Sequence, residues 1–340
     1  MPIHQADPGG IMAVARGLAA ALPEALDAGD DLVLYGDPAH QRWGKAQRLV
    51  DQQVRAARAA RDVDLVHLGD YRPLLASRVP FVITIHDLTF LDRPDWYPPA
   101  VALYKRAMFR AALAKRPAAV VCVSAHSRSR FAAHAPGFPA ERVTVIHPGL
   151  EPPPARGGSD PAEGEDYFLT VGAIEPRRNH LTLLDAFLRA RAAGLPLRWV
   201  VVGRPRYHGD AIVQRLGAVA GVEVRGWVSD AELERLYSGA RLVALPSHHE
   251  GFGLVPLEAM TRGVPTVVAT GSALDETAGD AALRIDPADV AGWADGLGRL
   301  HGDEALRADL VARGRERAAR FTWERAARAH VDLFRAVAWQ

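Results

Sequence analysis

Two carboxylates eight positions apart flank a glycine-rich segment in the second half of the sequence: Glu250 comes before it and Glu258 after it. The positions between them that could contact a ligand are Gly251, Phe252, Gly253 and Leu254. Glycines let backbone N–H groups approach a ligand closely, and the start of a helix favours negative charge. The segment therefore predicts a cradle for an anionic ligand, with Glu258 accepting hydrogen bonds from hydroxyls such as those of a ribose. A plain strand-to-helix turn with two solvated glutamates is the alternative.

A second segment combines a glycine turn with two adjacent cations. Arg177 and Arg178 lie a few residues after Gly172, just beyond a predicted buried strand. Two guanidinium groups beside a helix start can bind a diphosphate through charge-assisted hydrogen bonds and neutralise it without a metal ion. A solvated basic turn is the alternative interpretation of this pair.

A histidine and an aspartate stand where a predicted strand of the first half ends. His86 and Asp87 follow the apolar residues 81–85, so both are expected at the carboxyl edge of a sheet, where ligands of such folds bind. His86 could hydrogen-bond a sugar or an acceptor hydroxyl, and Asp87 could orient a ring or accept from the acceptor. A histidine satisfied by local hydrogen bonds is the alternative. Ser124 follows the next strand and is either a helix cap or a further site residue.

Short apolar runs alternate with longer amphipathic stretches, which is the pattern of strand, helix and strand units in parallel sheets. In the first half, helices are predicted at residues 11–22 and around Leu49, and the predicted strands are residues 32–35, 63–68, 81–85, 119–123 and 143–146. In the second half, the predicted strands are residues 167–171, 199–202, 222–225, 242–245 and 266–269. The predicted fold class is therefore α/β with two doubly wound parallel sheets and a cleft between two domains.

The alternation of strands and helices stops between positions 151 and 166. This segment is rich in prolines, glycines and acidic residues, which indicates a linker. The predicted domains are residues 1–150 on the N-terminal side and residues 167–321 on the C-terminal side. Residues 322–340 follow as an amphipathic helix, capped by Thr322 and expected to return to the first domain. The predicted helix at residues 101–117 has a basic face. That face consists of Lys105, Arg106, Arg110 and Arg116, and it is either solvated or docks on anionic lipid.

Composition argues against several classes of protein. The net charge of the 340 residues is +1 at pH 7, unlike that of a general nucleic-acid binder. Cys122 is the single cysteine, no secretory signal is evident at the start, and no apolar run is long enough to span a bilayer. We therefore expect a cytoplasmic protein, with peripheral contact at the inner face of the membrane as a further expectation. His248 and His249 lack a third metal ligand at suitable spacing, and the glycine motifs of nucleotide hydrolases and nicotinamide enzymes are missing.

Taken in order, these motifs resemble glycosyltransferase family 4, whose members are retaining GT-B enzymes and include many mannosyltransferases. The resemblance covers nearly the whole chain. The matching segments are Gly9 and Gly10, residues 86–88, 123–124, 175–179, 250–258, 263–267, 276–280 and 285–287. The resemblance implies two Rossmann-like domains and metal-independent transfer of a sugar from a nucleotide-sugar, without a protein nucleophile and without a further cofactor.

The resemblance also implies roles for individual positions. Arg177 and Arg178 would hold the donor diphosphate, Glu250 and the backbone of residues 251–253 would contact the donor sugar, and Glu258 would hold the ribose. The other implied contacts are Gly203, Trp227 and Val228 with the base, His86 with the reacting sugar, and Gly9 and Gly10 with the phosphates.

Two positions and the start of the chain depart from the family pattern. Lysine is usual where Arg178 stands, and many members carry an arginine where this chain has Ala173. The family also begins with a full strand before the glycine pair, whereas only residues 1–8 precede it here, with prolines near both ends and no apolar run. We therefore expect that the natural start lies upstream or that the first domain is unusually short.

The predicted function is transfer of a hexose, with mannose from GDP-mannose as the preferred choice, to a hydroxyl of a glycan, a lipid-linked saccharide or a small molecule. The residues around Arg177 and His86 look like those of mannosyltransferases, but base-reading residues vary, so UDP-sugars and other donors stay open. One rival is a nucleotide-sugar 2-epimerase on the same fold, although the Glu250 and Glu258 motif argues against it. The other rival is a catalytically silent sugar-nucleotide-binding subunit, which the short start keeps open.

Overall fold

The computed structural model describes residues 10–33, 58, 60–152 and 166–338. The chain divides into two compact units. The first unit comprises Met1–Pro94, Pro99–Glu151 and Phe321–Gln340, and the second comprises Asp95–Pro98 and Pro152–Arg320.

The first unit contains a parallel sheet of described strand order β1-β2-β3-β4. Its strands are β1 (Val66–Leu68), β2 (Phe81–Ile85), β3 (Ala119–Cys122) and β4 (Val143–Val145). Its helices are α1 (Gly10–Ala25), α2 (Thr89–Asp92), α3 (Pro99–Ala114), α4 (Ala125–His134) and, from the end of the chain, α12 (Trp323–Ala338). Every residue of β2 and β3 is buried, which is typical of central strands covered on both faces.

The last helix packs on the first helix within this unit. Ala327 and Val331 of α12 form one apolar cluster with Leu18 and Leu22 of α1. The Thr322 hydroxyl accepts a hydrogen bond from the backbone N–H of Arg325 and so caps the start of α12.

The second unit contains a six-stranded parallel sheet of order β10-β9-β8-β5-β6-β7. Its strands are β5 (Tyr167–Val171), β6 (Arg198–Val202), β7 (Val222–Gly226), β8 (Leu242–Leu245), β9 (Thr266–Ala269) and β10 (Leu283–Ile285). Its helices are α5 (His180–Ala192), α6 (Gly209–Gly217), α7 (Asp230–Gly239), α8 (Leu254–Thr261), α9 (Ala273–Ala278), α10 (Val290–Gly302) and α11 (Glu304–Ala318). The strand order jumps between β5 and β8, so the loops that leave the carboxyl ends of these two strands lie side by side at a topological switch point.

The sequence predicted most of the described strands within a few residues, with two differences. The strand β10 was not predicted, because its three residues alternate in exposure and are held by pairing with β9. Leu32 and Val33, half of a predicted strand, are exposed and belong to no strand in the described structure. The rest of that strand, the helix around Leu49, residues 1–9 and residues 153–165 lie outside the described residues. None of the described helices is long and apolar enough to cross a bilayer.

Candidate functional site

The loops that follow β5 and β6 touch through their backbones at the carboxyl edge of the second sheet. Gly203 has φ +156°, and a Cβ atom at this position would lie 1.8 Å from the carbonyl oxygen of Gly172. The Ile174 N–H donates to the Arg204 carbonyl at 2.9 Å, which joins the same two loops again. Only glycine permits this approach, so the backbone framework of the site depends on Gly203.

Asn179 fixes the turn that carries the two arginines. It adopts the left-handed conformation, with φ 57° and ψ 32°, which asparagine tolerates better than most residues. Its side-chain amide donates to the carbonyls of Pro246 and Pro287 at 3.1 and 2.7 Å, and its oxygen accepts from Thr182 at 2.7 Å. Asn179 therefore ties three segments together, a role that sequence reasoning did not assign to it.

The two predicted arginines and Glu250 form one ion cluster. Arg177 Nε lies 2.5 Å from Glu175 Oε1, and its Nη1 lies 3.1 Å from Glu250 Oε2. Arg178 forms an ion pair with the other carboxylate oxygen of Glu250, and the Ser247 hydroxyl donates to that oxygen at 2.8 Å. Two cations thus face two carboxylates, so the formal charges of this cluster cancel. The separation of Arg177 and Glu250 by 73 residues hid this pairing from the sequence.

The environment of Glu250 keeps its carboxylate ionised. Burial by itself would raise the pKa of Glu250, but the charges of Arg178 and Arg177 and the Ser247 hydrogen bond outweigh it and hold the pKa below its ordinary value. Both carboxylate oxygens already accept hydrogen bonds. In this arrangement Glu250 positions the arginines, and it is neither a protonated acid nor an unengaged nucleophile.

The glycine-rich segment after Glu250 leads into α8 with its backbone turned inward. Gly253 has φ +98°, and a Cβ atom there would lie 2.6 Å from Leu274 Cδ2. The Phe252 side chain is only 6% exposed, so a ligand would meet its backbone and not its ring. Leu254 is the first residue of α8. The predicted turn at the start of a helix is therefore present.

Glu258 lies on α8 beside a buried tyrosine. The Tyr237 hydroxyl donates to Glu258 Oε2 at 2.8 Å, and burial together with the Glu258 charge raises the pKa of Tyr237. Arg262 lies over the Tyr237 ring at 4.9 Å and donates to the Glu258 carbonyl at 2.9 Å. The tyrosine uses one of the several acceptor positions of the carboxylate and leaves others for ligand hydroxyls.

The two residues predicted to flank a base point in different directions. The Trp227 side chain is 53% exposed, and the guanidinium of Arg204 lies 5.8 Å from its ring centroid. Val228 packs against the apolar core of the unit. Of the pair, only Trp227 offers a face on which a planar ligand could stack.

Four residues that lie far away in the sequence also belong to the second unit. Within Asp95–Pro98, the Trp96 ring stacks on His248 with a centroid distance of 5.9 Å, and Tyr97 meets Tyr207 at 5.0 Å. The backbone N–H of His248 donates to the Arg177 carbonyl at 2.9 Å. This bond connects the residue that Trp96 contacts to the turn that carries the arginines. Sequence reasoning missed this segment, and two aromatic residues enclosed by prolines were the available signal.

In the first unit, His86 and Asp87 lie at the end of β2. His86 Nε2 donates to the Gly69 carbonyl at 2.8 Å, which leaves Nδ1 of the neutral ring as an acceptor. Burial lowers the pKa of His86, although the Gly69 carbonyl and the carboxylates of Asp70 and Asp87 act in the opposite direction. One Asp87 oxygen accepts from the Thr89 N–H at 3.0 Å.

The other sequence candidates in this unit have simpler surroundings. Ser124 accepts from the Ser127 N–H at 2.9 Å and is the N-cap of α4. Gly10 begins α1 and is exposed, and Gly9 lies outside the described residues. Among the residues that the structure describes, no group of three His, Cys, Asp or Glu side chains could hold a metal ion.

Known proteins resemble this chain over both halves. The model described as Glycosyltransferase Family 4 matches residues 11–152, and the model described as Glycosyl transferases group 1 matches residues 154–317. O-antigen chain mannosyltransferase B of Escherichia coli is 30% identical over 303 residues, which cover 82% of this chain and 76% of that protein. D-inositol 3-phosphate glycosyltransferase of Nocardioides is 34% identical over 222 residues, covering 57% of this chain and 48% of that relative.

The fold is shared with solved glycosyltransferases. The structure of Anabaena HepE in complex with UDP and glucose aligns with a TM-score of 0.74 and 18% identity, covering 98% of this chain and 97% of that chain. Two Rossmann-like units with parallel sheets and this match show that the chain has the GT-B fold. More narrowly, the relatives and the family models show that the chain belongs to glycosyltransferase family 4.

Proposed function

We propose that this protein transfers mannose from GDP-mannose to an acceptor hydroxyl with retention of the anomeric configuration and without a metal ion. The observation that carries the proposal is the cluster of Arg177, Arg178 and Glu250 beside the close backbone approach of Gly172 and Gly203. Guanidinium groups in a fixed position suit a diphosphate, because each can form charge-assisted and bidentate hydrogen bonds.

The ion cluster supports a specific role for Glu250. With the arginine charges balanced by Glu175 and Glu250, the cluster is stable without a ligand. An arriving diphosphate adds negative charge and shares the arginine donors with the carboxylates. We assign stabilisation of the departing diphosphate to Arg177 and Arg178, and their placement to Glu250.

The engaged carboxylate also favours transfer on one face of the sugar. Glu250 is a buried carboxylate that contacts both arginines, and both of its oxygens are already bonded. In the proposed step, the bond between the anomeric carbon and the diphosphate oxygen breaks. The acceptor oxygen bonds to the same face of that carbon, and its proton passes to the released diphosphate. Positioning and neutralisation of the leaving group supply the catalysis.

We assign the nucleoside to Glu258 and Trp227. The carboxylate of Glu258 has acceptor positions left for ribose hydroxyls, and the exposed face of Trp227 can stack on a base. For the reacting sugar we assign His86 of the first unit, whose Nδ1 can accept from a hydroxyl.

The choice of donor rests on the relatives. O-antigen chain mannosyltransferase B supports mannose, whereas HepE was solved in complex with UDP-glucose and supports UDP-glucose as the competing donor. The acceptor we propose is a hydroxyl of a glycan or of a lipid-linked saccharide.

The test is nucleotide release by the purified protein from GDP-mannose, UDP-glucose, ADP-glucose and dTDP-glucose, each with and without EDTA. We expect release from GDP-mannose, insensitive to EDTA, and loss of most of that activity in Glu250→Gln, which keeps the shape but removes the charge. An exposed change on α5, Arg189→Gln, serves as the matched control and should behave as the parent protein.

The other outcomes separate the rival functions. Release from UDP-glucose alone would mean that the donor is UDP-glucose and not GDP-mannose. Loss of activity with EDTA would mean that the reaction needs a metal ion. Conversion of a nucleotide-sugar to its C2 epimer would support the epimerase. Donor binding without turnover across a panel of glycan and lipid-linked acceptors would support a silent subunit.

A further inference from the structure

The glycine-rich segment after Glu250 packs against α9 at two places. We name residues 250–254 the Glu250 turn. The backbone N–H of Ala273, the first residue of α9, donates to the Glu250 carbonyl at 3.3 Å. A Cβ atom at Gly253 would lie 3.1 Å from Thr277 Oγ1, so the buried side chain of Thr277 lies directly behind the turn. The position of the Glu250 turn therefore depends on the position of α9.

The helix α9 is too short to be stable by itself. It comprises six residues and ends at Gly279, which has φ 56°. The last four carbonyls of any helix have no partner within it, and a short helix forms few internal hydrogen bonds for the residues that it orders. Inside α9, the Thr277 hydroxyl donates to the Ala273 carbonyl at 3.0 Å. Contacts from outside the helix must therefore hold its end in place.

An arginine of α11 binds the end of α9. Arg317 Nε donates to the Thr277 carbonyl at 2.9 Å, and its Nη2 donates to the Glu276 carbonyl. The guanidinium is a planar fork, so one side chain holds two consecutive carbonyls, and its positive charge suits the end of a helix. Arg313, one turn earlier on α11, donates to the Asp280 carbonyl just beyond α9. Because Thr277 also lies behind the Glu250 turn, two contacts connect Arg317 to that turn.

The same face of α11 also packs against α8. A Cβ atom at Gly314 would lie 3.0 Å from Met260 Cγ, and both residues are buried. Gly314 and Arg317 are three residues apart, so they lie on one face of α11. The helix α8 begins at Leu254, where the Glu250 turn ends. One face of α11 therefore contacts both the helix that the turn leads into and the helix that it packs against.

We propose that Arg317 is a positioning residue of the donor site, which acts through α9 on the Glu250 turn. The inference rests on the proposed function, in which Arg177 and Arg178 bind the diphosphate and Glu250 places them. The carboxylate of Glu250 is held by these arginines, while its carbonyl is held by Ala273 of α9. A shift of α9 would move the main chain of the turn relative to the ion cluster. Loss of Arg317 should therefore weaken nucleotide binding from outside the site.

The test combines hydrogen exchange of the full chain with calorimetric titration by GDP and, separately, by UDP. In Arg317→Ala, backbone amides of the Glu250 turn and of α9 should exchange about tenfold faster, while those of β6 should not change. Affinity for the nucleotide that the parent binds should fall about fivefold, because the support of the site is looser. Arg317→Lys should recover part of both losses, since an ammonium group donates to the same carbonyls without the fork geometry.

The matched control is Arg307→Ala on the same helix. Arg307 is half-buried, as Arg317 is, and it donates to the carbonyls of Leu300 and His301 at 3.2 and 2.7 Å. It therefore makes the same kind of contact at the end of α10 instead of α9. Thermal unfolding should show similar losses of stability in Arg307→Ala and Arg317→Ala. Only Arg317→Ala should bind nucleotide more weakly.

The other outcomes separate this inference from the proposed function. Unchanged exchange of the Glu250 turn in Arg317→Ala, or equal loss of nucleotide affinity in Arg307→Ala, would overturn the role of Arg317. Faster exchange of the turn in Arg317→Ala, with no nucleotide binding even by the parent, would support the placement of the turn by Arg317 and count against the proposed function. Circular dichroism shows whether each variant is folded, and Arg317→Gln, which keeps one amide donor, replaces Arg317→Ala if the latter is not.

Discussion

Backbone conformation differs sharply between the two units. Among the described residues, every glycine with positive φ lies in the second unit, and several of these glycines leave the carboxyl ends of its strands. In the first unit, Arg116 is the described residue with positive φ, and it precedes the start of β3, whereas His86 follows the end of β2. The second unit therefore forms its site from close backbone approaches, while the first offers side chains on ordinary backbone.

The charges at the two sites differ in the same way. The site of the second unit holds the ion cluster of Arg177, Arg178 and Glu250, whose arginines hold the Glu250 pKa below its ordinary value, whereas burial lowers the pKa of His86 in the first unit. His67, on the neighbouring strand β1, shows the same effect most strongly, because burial lowers its pKa well below the ordinary value. A charged cluster suits a diphosphate, and neutral acceptors suit hydroxyls. Under the proposed function, the ion cluster would bind the charged diphosphate and the neutral histidine would accept from an uncharged hydroxyl.

The largest effect is expected from Gly203→Ala, which should destabilise the second unit by disrupting the backbone contact between the loops after β5 and β6. A Cβ atom would lie 1.8 Å from the Gly172 carbonyl oxygen at φ +156°. Steric overlap and backbone strain together should lower the free energy of unfolding by about 3 to 5 kcal/mol. Thermal and urea unfolding measure this loss. Gly298→Ala in α10, where a Cβ would meet nothing within 4 Å, should instead be neutral or stabilising.

Arg178→Ala should slow transfer more than it weakens binding. The variant leaves the departing diphosphate with one fewer cation and Glu250 with one fewer partner, so kcat should fall roughly a hundredfold. Arg178→Lys should recover part of the loss because it keeps the charge. Steady-state kinetics give the split between kcat and KM. An unchanged kcat in Arg178→Ala would remove this arginine from the leaving-group site.

Acid should destabilise both units through one buried histidine in each. Burial and then Arg178 lower the pKa of His180 to about 3, and burial lowers the pKa of His330 to about 4 despite its bond to the Ala326 carbonyl. Above pH 6.5 both rings are neutral in folded and unfolded chains, so their contribution is fully present. As the pH falls from 6.5 towards 4, only the unfolded chain gains these protons, and stability falls by up to about 1.4 kcal/mol per pH unit for each histidine.

Two variants test whether His180 and His330 cause this loss of stability with falling pH. Urea unfolding from pH 7 to pH 5 should show a shallower loss in His180→Phe, whose ring can keep the stack on Trp199, and in His330→Gln. Slopes equal to that of the parent in both variants would mean that other groups cause the acid sensitivity.

Glu258→Ala should weaken donor binding about tenfold with a smaller change in kcat. It removes the proposed ribose acceptor and the hydrogen-bond partner of Tyr237. Calorimetric titration with GDP and with GDP-mannose measures the loss. Tyr237→Phe separates the two causes, since it removes the internal bond and keeps the carboxylate. Equal weakening in both variants would assign Glu258 to structure and not to the ribose.

The smallest effect is expected from Trp96→Ala, which tests whether Asp95–Pro98 supports the site of the second unit. Loss of the stack on His248 should loosen the loop that bonds Arg177, and donor KM should rise about threefold. Trp96→Phe keeps a stacking ring and should restore the parent value. A change in thermal stability with no change in KM would restrict Trp96 to packing.

The sequence alone predicted the parts that depend on neighbouring residues. Strands β5, β6, β8 and β9 follow from runs of apolar and β-branched residues, and β7 follows from valines that alternate with charged residues. The turn at Gly253 follows from its glycines and the helix pattern after it. The strand β10 was not predicted because its three residues are too few to show a periodic pattern. Its strand conformation depends on pairing with β9. Leu32 and Val33 have strand-forming side chains but no described strand beside them.

Local patterns determined that this chain has two α/β halves and that glycines, arginines and acidic residues follow particular strands. Only the tertiary structure decided which of them meet. Arg177 reaches Glu250 across 73 residues, and Trp96 reaches His248 through a segment that joined the second unit. Such pairings depend on how strands are ordered in a sheet, which places distant loops side by side. A sequence pattern describes neighbours along the chain, and the charge balance of the site is set by neighbours in space.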